Sequence, residues 1–129
     1  MFRSRPLLAA LLAAVLTAAC SQPIAINTIQ LGRSLNTDQS IANQTTTFKP
    51  NETVYVSALN SARGYGTLSV KWYMGEQMLS EREKKVDFSG PGATEFNISS
   101  ATGFPEGNYR VEVLLDGTPV GSRNFNVVK

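Results

Sequence analysis

The chain has 129 residues, with twelve Lys and Arg, ten Asp and Glu, no His and one Cys, and a formal net charge of +2. This length fits one domain, and a charge so close to zero argues against a nucleic-acid partner held by phosphate contacts. Without His the chain lacks the commonest general base and metal ligand, and a single Cys excludes an internal disulfide and any zinc site built from several cysteines.

The first twenty residues have the pattern of a secretory signal. Arg3 and Arg5 precede an unbroken apolar run over residues 7–16, which is too short to span a bilayer, since a spanning helix needs ~20 residues. A basic start, a short apolar core and small residues before a break are typical of a cleaved signal. The segment that follows, Leu-Thr-Ala-Ala-Cys over residues 16–20, resembles the lipobox of bacterial lipoproteins, with Thr17 at the position where Leu is common.

This resemblance implies that residues 1–19 are a signal peptide that is removed, and that Cys20 is lipidated on its thiol and acylated on its amino group. Two or three acyl chains, at ~0.8 kcal/mol for each buried CH₂, anchor a protein stably where one chain does not. Ser21 takes the place of the Asp that retains such lipoproteins in the inner membrane, so we expect an outer-membrane anchor with the domain facing the periplasm. The alternative is an ordinary cleaved signal in which Cys20 is an unused thiol. Because Arg3 and Arg5 leave with the signal, residues 20–129 carry ten basic and ten acidic side chains.

Beyond a short tether at residues 20–23, the chain from 24 to 129 has the pattern of a β-domain. Short segments alternate apolar and polar residues with a period of two, and Gly, Pro and Asn clusters separate them. Gly75-Glu76 and Asp116-Gly117 predict two-residue hairpin turns, and a change of parity predicts a bulge near Gly121. The polar residues 32–47 predict a long loop or an irregular edge strand. The predicted strands cover residues 24–31, 53–59, 67–74, 77–81, 84–88, 94–99, 108–115 and 118–128. Seven or eight strands without a helical pattern predict an antiparallel sandwich.

Three motifs then resemble the immunoglobulin-like domains of bacterial envelope lipoproteins. Trp72 lies in the middle of the third main strand, the stretch around Tyr109 looks like a tyrosine corner, and Gly117 completes a turn before a closing Phe-Asn-Val strand. The resemblance implies an all-β, immunoglobulin-like sandwich without a disulfide, because Val56 and Val111 occupy the positions where the inter-sheet cysteines would lie. Burial alone, at ~25 cal/mol for each Å² of apolar surface, would hold that core. The fold itself implies no activity.

The sequence offers little for catalysis. Without His, and with Cys20 lipidated, a Ser-His-Asp or Cys-His arrangement is not available. The alternating charges of residues 81–87 include three carboxylates, but the pattern favours a solvated strand edge over an acid–base pair. Asp38 and Asp116 lack the repeated acidic spacing of a calcium loop. We therefore predict a protein that is not an enzyme and that needs no metal or cofactor.

Exposed aromatic side chains are the best candidates for contacts with a ligand or partner. Tyr55 and Tyr73 occupy the alternate positions of their strands that otherwise carry polar residues, and Tyr65 lies between two glycines in a predicted loop. Leu114 is also expected to be exposed by parity. The sequence thus predicts a lipid-anchored envelope protein that binds an envelope protein partner and no nucleic acid. The alternative is a carbohydrate- or peptidoglycan-binding module in which the three tyrosines lie on one surface and stack on sugars.

Overall fold

The computed structural model describes residues 22–129, so the predicted signal peptide and the predicted lipidation of Cys20 lie outside the described residues. In these described residues eight β-strands form two sheets, with the orders β1-β3-β6 and β2-β8-β7-β4-β5. The pairings are antiparallel except that of β2 with β8, which is parallel. The strands are β1 (Ile26–Gly32), β2 (Thr47–Phe48), β3 (Val54–Asn60), β4 (Gly64–Met74), β5 (Gln77–Phe88), β6 (Gly92–Ile98), β7 (Gly107–Leu115) and β8 (Thr118–Val127).

The predicted all-β sandwich is confirmed. Apolar residues at every second position of β3, β4 and β7 point between the two sheets, as period-two alternation requires. Within residues 22–129 no helix is long and apolar enough to cross a membrane. The tight turns also match: Met74 pairs with Gln77 around Gly75-Glu76, and Asp116 and Gly117 have φ values of +50° and +85°, both positive as a type I′ turn requires.

Strand β5 corrects one prediction, because residues 77–81 and 84–88 belong to a single strand. β4 pairs with β5 along its whole length, from Gly64 opposite Phe88 to Met74 opposite Gln77. Most side chains of β5 are exposed on both faces because the strand lies at the edge of the five-stranded sheet. Without a buried face the strand has no apolar alternation, which explains the apparent break. The bulge predicted near Gly121 is present, with Val120 as the extra residue between two β7 pairings.

The polar segment between β1 and β2 is folded onto the outer face of the three-stranded sheet. Leu35 and Ile41 form an isolated bridge within it, and Ile41 is buried. The hydroxyl of Ser57, which lies on that outer face, donates a hydrogen bond to the carbonyl of Gln39 at 2.8 Å. At Gly32 a Cβ would lie 2.1 Å from the carbonyl oxygen of Asn43, so the segment approaches the sheet closely enough to require glycine. The loop between β1 and β2 thus covers part of the outer face of the three-stranded sheet.

The core is built around Trp72, which is 1% exposed. Its ring lies edge-on to Phe125 with 6.1 Å between centroids, and Tyr109 stacks on the same phenylalanine at 5.3 Å. The Tyr109 hydroxyl donates a hydrogen bond to the carbonyl of Pro105, which is the geometry of a tyrosine corner. Val56 and Val111 are both buried, so apolar side chains occupy the two core positions where the sequence predicts no inter-sheet disulfide.

Candidate functional site

The three candidate tyrosines lie on three different parts of the surface. Tyr55 is on β3, on the outer face of the three-stranded sheet, beside Asn97 of β6. Tyr73 is on β4, on the outer face of the five-stranded sheet, which points the opposite way in a sandwich. Tyr65 lies on the same strand and not in the predicted loop, eight residues earlier and about 26 Å away at 3.3 Å per residue. The structure therefore does not bring the three rings together into one stacking surface.

Tyr73 forms a compact cluster with two neighbours that sequence parity did not identify. Its cross-strand partners are Arg110 on β7 and Met78 on β5. The Arg110 guanidinium lies 4.2 Å from the centroid of the Tyr73 ring, a cation–π arrangement, and Met78 is 49% exposed. We call Tyr73, Met78 and Arg110 the Tyr73 patch. A bulge next to it leaves Leu79 as the extra residue of β5, and this side chain is exposed as well.

An exposed polar rim adjoins the Tyr73 patch on β7 and β8. Asn108 pairs across the strands with Asn126, and Arg110 pairs with Asn124. Together with Thr46 these residues line a shallow depression of about 540 Å³. In residues 22–129, the three asparagine amides take no part in the side-chain hydrogen bonds within the protein, so their donors and acceptors are available to a ligand.

Beside the Tyr73 patch, on the outer face of the five-stranded sheet, acidic and basic side chains alternate across β5, β4 and β7. Arg110 lies 3.9 Å from the Glu112 carboxylate, and Lys71 lies between Glu112 and Glu81 in the strand register. This alternation balances the charge beside the patch, so neither an acidic nor a basic surface dominates there. A patch that combines an aromatic ring, a guanidinium and a thioether can bind by contact area and hydrogen bonding.

The charged segment of β5 lies at the edge of the sheet, as predicted for a solvated strand edge. The Lys84 ammonium reaches across to β6, where it donates to the carbonyl of Glu95 and lies 5.0 Å from the Phe96 ring centroid. Charges that point inward at an edge strand discourage pairing with another strand. Among the described residues no group of three His, Cys, Asp or Glu side chains is arranged to hold a metal ion.

In the described part of the chain three side chains have a shifted pKa, and each shift has a local structural cause. A hydrogen bond from the Ser40 hydroxyl lowers the pKa of Asp38, and burial raises the pKa of Tyr109. The pKa of Glu52 is lowered first by the backbone N–H of Lys49, which donates to it at 2.7 Å, and further by the Arg33 guanidinium at 2.9 Å. The Glu52 contacts join the segments on either side of β2, and none of them involves a residue of the Tyr73 patch.

We expect Glu52→Gln to lower the free energy of unfolding by about 1 kcal/mol at neutral pH, since it removes a charge-assisted hydrogen bond. A carboxylate whose pKa is lower in the folded state stabilises the fold above its unfolded pKa and loses that contribution as the pH falls through the folded value. The difference between Glu52→Gln and the native chain should therefore shrink from pH 5 to pH 2 in urea titrations. Glu76→Gln, at an exposed residue of the β4–β5 hairpin, is the control. If the difference in free energy of unfolding between Glu52→Gln and the native chain stays constant with pH, the assigned role of Glu52 is contradicted.

The expected exposure of Leu114 is wrong, because this side chain is only 5% exposed. It does lie on the outer face, with Ser69 and Pro119 as its cross-strand neighbours. Parity gives the face on which a residue lies, but not how far its neighbours cover it. Parity also does not identify Arg110 and Met78 as neighbours of Tyr73, because only the register between strands shows that they flank it.

No protein-family model and no curated protein matches the chain. Solved structures do match. An immunoglobulin-like protein from Pseudomonas aeruginosa is 15% identical with a TM-score of 0.54, and the match covers 82% of this chain and 95% of that one. A cycloisomaltooligosaccharide glucanotransferase from Paenibacillus sp. is 14% identical with a TM-score of 0.53, covering 83% and 14% of the respective chains. A β-glucosidase from Erythrobacter marinus is 10% identical with a TM-score of 0.50, covering 81% and 15%. At these identities the likeness is one of fold, and the fold is immunoglobulin-like.

Proposed function

We propose that this protein is a lipid-anchored component of the bacterial cell envelope whose immunoglobulin-like domain binds a protein partner through the Tyr73 patch and catalyses no reaction. The proposal for the anchor rests on the lipobox-like residues 16–20 and on Cys20. Ser21 supports an outer-membrane location with the domain in the periplasm.

The observation that carries the binding proposal is the Arg110 guanidinium over the Tyr73 ring at 4.2 Å, beside the exposed Met78. Tyr, Arg and Met are enriched at protein interfaces, and Tyr and Arg recur among the residues that contribute most to affinity. Three paired strands hold these side chains, so little backbone freedom is lost when a partner binds. The asparagines beside them supply the polar rim that such interfaces have.

The lipid anchor adds to this function by concentrating the domain near other envelope proteins. A tethered module meets its partner at a raised effective concentration, so a small patch can be sufficient. The carbohydrate-binding alternative needed Tyr55, Tyr65 and Tyr73 on one surface, and their separation supports the protein-binding proposal over it. A hydrolase activity of the purified domain would contradict its non-enzymatic part.

Photo-crosslinking in cells tests the proposal. A photoreactive amino acid replaces Met78 in one variant and Tyr55, on the opposite sheet, in the control variant. We expect a discrete crosslinked protein from position 78 that is absent from position 55. Equal crosslinking from both positions, or a crosslink from position 55 alone, would contradict the assignment of the Tyr73 patch as the binding surface.

A further inference from the structure

The chain just after the proposed anchor is fastened to the start of β4. The backbone N–H of Ile24 donates to the carbonyl of Tyr65 at 2.8 Å, and the N–H of Tyr65 donates to the carbonyl of Gln22 at 3.0 Å. The Ile24 side chain is only 2% exposed. At Gly64 a Cβ would lie 2.5 Å from the Cα of Ile24, so the two backbones are in direct contact. Residues 22–24 are therefore part of the folded domain and do not form a free linker.

This attachment leaves very little chain between Cys20 and the domain. Cys20 precedes Gln22 by two residues, and an extended chain spans at most about 3.6 Å per residue, so about 7 Å separate the two Cα atoms at most. A lipid-anchored domain with so short a connection cannot move away from the bilayer surface. The end of the sandwich that holds Gln22 must therefore lie next to the membrane.

Several loops lie at that same end. The backbone N–H of Asp116, in the β7–β8 turn, donates to the carbonyl of Thr67, and the Asn60 amide, at the end of β3, donates to the carbonyl of Gly90. The surface there carries the exposed side chains of Arg63, Tyr65 and Lys85, and Tyr65 is 47% exposed. These three side chains and Gln22 line an open cleft of about 650 Å³.

We infer that this end, defined by Gln22, Arg63, Tyr65 and Lys85, rests on the phospholipid headgroups, with the Tyr65 ring at the membrane–water interface. The inference rests on the lipid anchor of the proposed function. Tyrosine rings favour this interface because they are apolar along one side and carry a hydroxyl, and Arg63 and Lys85 can approach lipid phosphates. Asp87 and Asp116 line the same cleft and balance these two cations, so the short covalent connection provides most of the attachment.

The orientation gives the Tyr73 patch a definite position. Strand β4 runs from Tyr65 toward Tyr73, so the patch lies about 26 Å along the strand from the membrane-facing end, at 3.3 Å per residue. A partner in the periplasm can then reach the patch without contacting the bilayer. The anchor therefore keeps the domain near the membrane and also orients it, with the Tyr73 patch directed away from the bilayer.

Fluorescence quenching by lipid tests the orientation. The full lipidated protein, as Tyr65→Trp or as the matched control Tyr73→Trp, is reconstituted in vesicles of phosphatidylethanolamine and phosphatidylglycerol with brominated acyl chains. Trp72 is common to all samples, so its emission is subtracted using the unsubstituted protein. We expect Tyr65→Trp to lose most of its added emission and Tyr73→Trp to keep its own. Equal quenching of both, or no quenching of Tyr65→Trp, would overturn the inference.

A second variant separates orientation from attachment. Insertion of twelve Gly and Ser residues between Ser21 and Gln22 leaves the lipid site intact but frees the domain, so we expect the quenching of Tyr65→Trp to fall sharply. Unchanged quenching would show that the short connection does not set the orientation. Mass spectrometry of the mature amino terminus tests the anchor itself. A chain without lipid overturns the anchor and the inference together, whereas a lipidated, vesicle-bound chain without Tyr65→Trp quenching overturns the inference alone.

Discussion

Replacing Trp72 with Ala is expected to lower the free energy of unfolding by about 3–5 kcal/mol, which is the usual cost of removing a large buried aromatic side chain. Trp72 is 1% exposed and lies edge-on to Phe125, which in turn contacts Phe48 and Tyr109. The substitution would leave a cavity between the two sheets where no disulfide holds them together. Domains of this size are stable by about 5–15 kcal/mol, so the loss is a large part of the total.

Trp72→Phe is the matched control. The indole N–H of Trp72 has no hydrogen-bond partner in the described structure, so Phe also removes an unsatisfied buried donor while keeping an aromatic ring. We expect its cost to be less than half that of Trp72→Ala. Urea unfolding should be followed by far-UV circular dichroism, because Trp72 is the only tryptophan. A Trp72→Ala variant with an unchanged unfolding midpoint would contradict the assignment of Trp72 to the centre of the core.

Arg110→Ala is expected to weaken binding of the partner captured at Met78 by about 30-fold or more, which corresponds to the 2 kcal/mol typical of a central interface residue. The substitution removes the guanidinium from the Tyr73 ring and uncovers one side of the patch. The fold should be almost unaffected, because the Arg110 side chain is 37% exposed and its ion pair with Glu112, at 3.9 Å, is a surface pair of small net energy.

Arg123→Ala provides the control for this effect. Arg123 is an exposed arginine on β8 whose guanidinium donates to the carbonyl of Ser122, and it is not part of the Tyr73 patch. Its replacement removes the same charge from the domain, so we expect a change in affinity of less than about threefold. Affinities measured by calorimetry at two salt concentrations compare the two variants. Equal losses would show that overall charge, and not contact with Arg110, determines binding.

The fold could be predicted from the sequence wherever a strand has one buried face. β3, β4 and β7 alternate clearly because Val56, Val70 and Val111 and the residues two positions to either side of each enter the core. The full length of β5 could not be predicted from alternation, because both of its faces are largely exposed and this edge strand carries charged residues instead of an apolar pattern. Hairpin turns were predictable because glycine and the residue beside it set the backbone conformation locally.

The candidate site was only partly predictable, because a site depends on which strands become neighbours. Tyr55 and Tyr73 have the exposed parity that their patterns indicate, but β3 and β4 are consecutive strands in opposite sheets. Arg110 meets Tyr73 only through the register of β7 against β4, which brings together residues 37 positions apart. Alternation determines the face of a side chain, and long-range pairing determines its neighbours.

The most direct test of the Tyr73 patch as a binding surface is the yield of the Met78 photo-crosslink in cells that produce either the Arg110 protein or its Arg110→Ala variant at equal levels. If the patch binds the partner, the crosslinked product falls at least tenfold in Arg110→Ala and keeps its native yield in Arg123→Ala, as expected for loss of a central contact. The same yield in all three proteins would contradict the assignment.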